Sequence, residues 1–255
     1  MVFHKKEKIQ LKTPEQIALM RKAGLVVAHA LQAVEAAVAP GVTTKELDAI
    51  AHEVIRSSNA TPSFLGYHGY PAAICSSINE EVVHGIPSDR ELLDGDIISI
   101  DCGAVVEGWH GDAAFTIGVG EIDPEAQRLL DVTKASLMAG IKAMKPNNTL
   151  GDVGAAVQAV VEAAGFSVVR DYVGHGIGRK MHEQPEVPNY GTAGKGMTLF
   201  EGMTLAIEPM VTMGDYETFV DSDGWTVLSA DGSWAAHFEH TVAIGANGPE
   251  ILTKT

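Results

Sequence analysis

With 255 residues, 45% of them hydrophobic, the chain can bury a sizeable core, and a formal net charge of −15 argues against broad nucleic-acid binding. Its two cysteines, Cys75 and Cys102, cannot build a disulfide framework, and neither belongs to a Cys-x-x-Cys pair. The most apolar stretch, residues 24–39, is interrupted by His29, Gln32 and Glu35, and no secretory signal pattern is present, so the expectation is a cytoplasmic protein that neither spans nor binds a membrane.

Residues 1–12, with Lys5, Lys6, Lys8 and Lys12, read as a solvated N-terminal tail. Pro14 then opens a helix expected over about 14–38, because a proline in the first turn gives up an N–H that has no partner there anyway. A second helix is expected over 44–58, where Thr43 caps the start and Glu46 completes a capping box. The apolar run Ile97-Ile98-Ser99-Ile100 ends in Asp101, and a turn near Glu107-Gly108 brings the chain back through His110-Gly111-Asp112. The two aspartates are eleven positions apart, an odd separation that a two- or four-residue turn converts into one shared face.

Beyond residues 118–124, too short for a flexible tether, the pattern repeats. Pro124 opens a helix over 124–144, and Thr149 caps one over 150–164 with Asp152 in a near variant of the same box. An apolar stretch containing Val168, Val169 and Val173 leads into Gly174-His175-Gly176-Ile177-Gly178, a loop whose glycines are expected to turn the backbone sharply. Met203-Thr204-Leu205-Ala206-Ile207 ends in Glu208 as the earlier run ends in Asp101, and His237-Phe238-Glu239 echoes His110-Gly111-Asp112. Helix, helix and strands, twice over, make an α+β layer architecture. The expected organisation is a single domain over 13–255 built of two pseudo-symmetric halves, about 13–118 and 123–250.

Acids at the ends of apolar strands repel one another and lose hydration, so they share a proton or a cation. Asp101, Asp112, Glu208 and Glu239 with His175 form a mostly oxygen donor set suited to two divalent ions such as Mn, Fe, Co or Zn rather than to a thiolate zinc. So few ligands for two ions implies bridging carboxylates and a water activated between the cations.

These five residues, with Tyr67-His68-Gly69-Tyr70-Pro71, Asn79-Glu80-Glu81-Val82-Val83-His84-Gly85-Ile86-Pro87 and Gly174-His175-Gly176-Ile177-Gly178, resemble the methionine aminopeptidases over about residues 13–250. The resemblance implies the pseudo-twofold pita-bread fold, a curved antiparallel sheet flanked by two pairs of helices. It implies that Asp101 chelates one metal, that His175 and Glu208 bind the other, and that Asp112 and Glu239 bridge. It further implies that Glu208 shuttles the proton, that His84 lies near the scissile amide, and that His182 hydrogen-bonds the carbonyl oxygen. The methionine pocket maps to Tyr67, Tyr70, Cys75, Met181 and Trp225. The implied partner is the N-terminal methionine of peptides and nascent proteins, with a small second residue preferred and transient contact with the ribosome; no specific nucleic acid is expected, and the chain is expected to be a monomer.

In two places the chain departs from the family. Met181 stands where many relatives carry phenylalanine, and His237 where glutamine is frequent, which puts an ionisable ring in position to donate to Glu239. Proline-specific aminopeptidases and dipeptidases share the fold but add an N-terminal domain for which twelve residues leave no room. Non-catalytic binding proteins of the same fold have lost metal ligands that this chain retains. The short Glu208–Glu239 interval fits the first type of methionine aminopeptidase.

Overall fold

Helices form where the capping signals place them. The computed structural model describes residues 9–255, so Lys5, Lys6 and Lys8 lie outside the described residues. α1 (Pro14–Ala37), α2 (Thr44–Ser57), α3 (Pro124–Ala143) and α4 (Leu150–Ala163) match the four expected stretches to within a residue. Thr43 and Thr149 each accept from the backbone N–H three residues on, and the carboxylates of Glu46 and Asp152 reach back to the cap N–H, so the near variant closes as fully as the standard box. Thr13 and Gln16 form a third box before α1 that the sequence reading did not single out.

α1 has the length and composition of a membrane span, with a hydropathy of 1.3 over its most apolar window. It is nevertheless a core helix. Met20, Ala23, Gly24, Val27, Ala28, Leu31 and Val34 are all buried on one helix, several of them in one cluster with the sheet.

Fifteen strands are present among the described residues. The first half carries β1 (Thr61–Pro62), β2 (Ile74–Ile78), β3 (Glu81–Val83), β4 (Ile97–Val106) and β5 (Trp109–Gly118). The second carries β6 (Ser167–Val168), β7 (Gly174–Gly176), β8 (Glu183–Val187), β9 (Thr204–Ile207), β10 (Met210–Thr212), β11 (Thr218–Val220), β12 (Val227–Ser229), β13 (Ala235–His237), β14 (Glu239–Gly245) and β15 (Gly248–Ile251). A nine-stranded antiparallel sheet runs β1-β4-β5-β14-β9-β7-β8, with β2 also on β4 and β15 also on β14. The β5–β14 pairing is the seam between the halves. Two three-stranded sheets, β13-β10-β6 and β11-β12-β3, complete the α+β fold.

Alternation along the central strands sorts their residues to two faces. Ile98, Ile100, Cys102 and Ala104 of β4, with Ala113 of β5, pack with α1 and α2 in one cluster. Leu205, Ile207, Val242 and Ile244 of β9 and β14 pack with α3 and α4 in another. The intervening residues face away from the helices. Asp101, Asp112, Glu208 and Glu239 belong to that second set.

α1 crosses β5 at backbone distance. A Cβ on Gly24 would lie 2.1 Å from the Leu252 carbonyl oxygen, and one on Gly111 would lie 2.7 Å from the Gly24 nitrogen. Gly24→Ala therefore loses stability by about 1–3 kcal/mol of overpacking, although alanine is the better helix former. The urea midpoint measures this, and an unchanged or higher midpoint would remove the close-approach argument.

One sequence expectation is corrected at the N-terminus. Lys12 is not solvated: it is 7% exposed, its backbone N–H donates to Gly202 O, and its Nζ lies 2.6 Å from Glu183 Oε2. The absence of a side chain on Gly178 makes the room, since a Cβ there would sit 2.7 Å from the Lys12 stem. Packed structure therefore begins before residue 13.

Candidate functional site

Register places the candidate ligands on two neighbouring rungs of the large sheet. In the first, Cys75 pairs with Asp101, Asp101 with Ala114, and Ala114 with Glu239. Glu208 follows Ile207, which pairs with His240, so it continues that rung opposite Glu239. In the second, Gly103 pairs with Asp112, whose backbone N–H and C=O both bond Thr241 Oγ1, while Ala206 pairs with Thr241 on one side and His175 on the other. Residues two apart on a strand share a face, so the five side chains project together. The β4–β5 turn is a two-residue hairpin in which Glu107 and Gly108 both take positive φ, 52° and 77°.

The donor atoms converge. Those of Asp112, His175 and Glu239 all lie within 4.8 Å of one another, and His175 Nε2 is 3.5 Å from Glu208 Oε1 and 4.0 Å from Asp112 Oδ2. His175 Nδ1 lies 2.9 Å from Gly176 O, so that nitrogen carries the hydrogen and Nε2 offers its lone pair to the cluster.

Burial of these groups is severe and unpaired. Asp112 is 3% exposed and Glu239 1%. Asp101 Oδ1, Asp112 Oδ1, Glu208 Oε1 and Glu239 Oε1 are buried without a hydrogen-bond partner among the described residues. Burial pushes the Asp101 carboxyl up to about 7. Burial, then the neighbouring carboxylates, pushes Asp112, Glu208 and Glu239 well above the usual carboxylate range. Burial and the nearby His182 ring lower His175 to about 3. A buried acid normally finds a donor, so four orphaned oxygens beside a free imidazole lone pair fit divalent cations as the missing partners.

The residues expected to bind substrate line the same cavity, of about 160 Å³: Tyr67, Tyr70, Cys75, His84, Met181, His182 and Trp225, whereas His237 does not. Its apolar wall is a cluster in which Phe64, Tyr70, Cys75 and Met181 are buried and Tyr67 and Trp225 pack alongside. Tyr70 donates to Gly85 O at 2.8 Å, and its ring meets Trp225 edge-on, centroids 5.0 Å apart. Burial raises the Cys75 thiol well above its ordinary value, so Cys75 contributes bulk rather than a thiolate. His84 holds a left-handed conformation, φ 64°, with its ring edge-on to Tyr172; burial and the His182 ring lower it to about 4.

Phe64 and His68 also line the cavity and were not foreseen. Gly66 and His68 take positive φ, 81° and 49°, and fold Phe64–Tyr70 into a tight turn that brings Phe64 and His68 to the cavity together with Tyr67. A larger cavity, about 610 Å³, lies between α1 and α3 against Phe115 and Ile117 of β5 and includes none of the five candidate ligands.

Two expectations change. Gly174-His175-Gly176 is a strand rather than a sharp loop. Its glycines serve close approach, since a Cβ on Gly174 would sit 2.3 Å from Ala206 O and one on Gly176 2.3 Å from Gln184 O. His237 does not donate to Glu239: Nε2 is 3.9 Å from Glu239 Oε2, beyond hydrogen-bond reach, and burial with the nearby His84 ring lowers it to about 3.

A curved antiparallel sheet backed by four helices, with a carboxylate–imidazole cluster buried on its open face, defines a metallohydrolase. Comparison with known proteins narrows the class: the model of metallopeptidase family M24 matches residues 18–246. The chain belongs to metallopeptidase family M24. A methionine aminopeptidase of Clostridium perfringens is 55% identical over 245 residues, covering 96% of this chain and 98% of that protein. The crystal structure of a methionine aminopeptidase from Thermotoga maritima superposes with a TM-score of 0.95 at 50% identity, covering 97% of this chain and all of that one. A prolidase from Pyrococcus furiosus shares the fold alone, with a TM-score of 0.78 at 24% identity over 65% of its length. The architecture is thus the expected pita-bread fold.

Proposed function

We propose that the chain removes the N-terminal methionine from peptides and nascent proteins, acting in the cytoplasm as a monomer that meets the ribosome transiently. The observation that carries this reading is the meeting, in one small cavity, of a five-residue ligand cluster with an apolar wall of Tyr67, Tyr70, Cys75, Met181 and Trp225. Thioether sulfur against aromatic rings is favourable contact chemistry, and the enclosed wall suits one unbranched side chain. Both halves, 13–118 and 123–250, contribute to a single catalytic unit.

Two divalent ions fit the donor set: Asp101 would hold one, His175 and Glu208 would hold the other, and Asp112 and Glu239 would serve both. When bound, the ions supply Lewis acidity towards water and the first peptide carbonyl. Glu208 takes the proton of the attacking water and passes it to the leaving amine. His182, at the cavity rim, donates to the carbonyl oxygen as negative charge builds there, and His84 faces the scissile amide. Side chains following the methionine meet the rim, so small second residues are preferred.

Release of the first residue from Met-Ala-Ser, Met-Lys-Ser and a Pro-led peptide tests the reading, with metal-free protein reconstituted with single metals. Fast cleavage of Met-Ala-Ser alone is expected. Equal cleavage of all three, or full activity after chelation, overturns it.

A further inference from the structure

The His182 imidazole presents two nitrogens, and the protein engages one of them. Tyr67 Oη lies 2.7 Å from His182 Nδ1, with the two rings tilted and their centroids 5.4 Å apart. The His175 ring lies against its other side, tilted by 54° with centroids 4.1 Å apart, so the imidazole sits between a pocket residue and a candidate ligand.

Both partners of this hydrogen bond are anchored. Tyr67 sits in a one-turn helix, Tyr67–Gly69, closed by Tyr67 N–H to Phe64 O, Tyr70 N–H to Tyr67 O, and Gly66 N–H to Tyr70 O. His182 is followed by Glu183, whose carboxylate is locked to the buried Lys12 ammonium at 2.6 Å. The 2.7 Å contact is therefore made by two side chains whose backbone is tied down on both sides.

In a neutral imidazole one nitrogen carries the hydrogen and the other is a bare acceptor. Were the hydrogen on Nδ1, Nε2 would turn a lone pair towards the substrate oxygen and repel it. A phenol hydroxyl has a hydrogen to give, and partial burial keeps Tyr67 in its protonated form. We infer that Tyr67 is a positioning residue: its hydroxyl donates to His182 Nδ1 and thereby fixes the Nε2–H tautomer that donates to the substrate carbonyl oxygen. This rests on the role proposed for His182 above. One side chain thus has two tasks, its ring closing the apolar pocket and its hydroxyl setting the direction of a hydrogen bond on the other side of His182.

The two tasks are separable, because Tyr67→Phe keeps the ring and removes the hydroxyl. With enzyme loaded with zinc, which is diamagnetic, and labelled with ¹⁵N-histidine, long-range proton–nitrogen spectra read the tautomer directly. The expected result for His182 is an unprotonated Nδ1 and a protonated Nε2, giving way to a mixture in Tyr67→Phe. On Met-Ala-Ser, Tyr67→Phe should lower kcat by about 10–100-fold, the usual effect of removing a partner that orients a functional histidine, with KM changed less than about twofold. In a His182→Ala background the same substitution should cost nothing more.

A protonated Nδ1 in the unsubstituted enzyme overturns the inference. Equal losses in the two backgrounds, or a raised KM with unchanged kcat, overturn it as well, leaving Tyr67 a pocket residue only. The spectra need no substrate, so a failure of the methionine reading appears in the peptide panel while the tautomer result stands or falls by itself.

Discussion

Asp112→Asn should abolish at least one equivalent of bound metal and lower turnover of Met-Ala-Ser by about 10³-fold or more, a loss of roughly 4 kcal/mol of transition-state stabilisation. Asparagine keeps the shape of the side chain, but an amide nitrogen takes the place of one acceptor oxygen, and the formal charge is gone. The backbone there is held independently of the carboxylate: Asp112 N–H donates to Thr241 Oγ1, Thr241 Oγ1 donates to Asp112 C=O, and the ladder partner is Gly103. The variant should fold. Metal-free, it should be more stable than the metal-free parent at pH 8, since burial and the Asp101 and Glu208 carboxylates all oppose a charge at this position. Elemental analysis and steady-state rates check the first part, and urea unfolding checks the second. Full metal content with full turnover would remove Asp112 from the shared-ligand role.

Removing the metals from the unsubstituted protein should cost both stability and its insensitivity to pH. The sign follows from the direction of each shift. Carboxylates raised in the folded state, Asp101 to about 7 and the other three well above their ordinary value, contribute stability that is full below about pH 4 and is lost as pH rises through their folded values. Histidines lowered in the folded state, among them His84 and His240 at about 4, work the other way, losing stability as pH falls below about 6.5. Between about pH 4 and 6.5 the two sets oppose each other. Above about 6.5 the unfolded histidines are neutral, and the acids act alone.

Metal-free protein should therefore lose stability from about pH 6.5 to 8, by up to about 1.4 kcal/mol per pH unit for each proton the folded acids retain. Bound cations replace those protons, so the metal-loaded protein should stay level or gain over the same interval. With metal at about 1,000 times its dissociation constant the gap is about 4 kcal/mol, roughly 8–16 °C in Tm for a chain of this size. Thermal melts at pH 6.5, 7.25 and 8 with and without chelator measure it. A gap that shrinks as pH rises would show that the acids do not carry the protons assigned to them.

The parts of the molecule that were legible in the sequence are those whose signals are local. Thr43, Thr149, Pro14 and Pro124 mark helix starts because a cap or a first-turn proline acts within three residues. Asp101 and Asp112 could be set on one face because a two-residue turn leaves alternation intact across the hairpin. Glu208 and Glu239 resisted the same reasoning. Between them the chain runs through β10, β11, β12 and β13, and only the β9–β14 register restores the parity. What Gly174 accommodates, the Ala206 carbonyl, and why Lys12 is buried beside Gly178 depended on atoms far away in sequence, which no spacing rule reports. His237 illustrates the remaining limit, since a separation of two residues gave proximity to Glu239 but not the geometry of a hydrogen bond.

The seam between β5 and β14 has a consequence for the life of the chain as it is made. Asp101 and Asp112 lie on one side of that seam, and His175, Glu208 and Glu239 on the other. A copy that lacked the second half would carry two of the five candidate donors and neither the imidazole nor the two glutamates. Cleavage by this cluster would therefore require the two halves to have closed on each other along β5 and β14, which ties the proposed chemistry to completed folding.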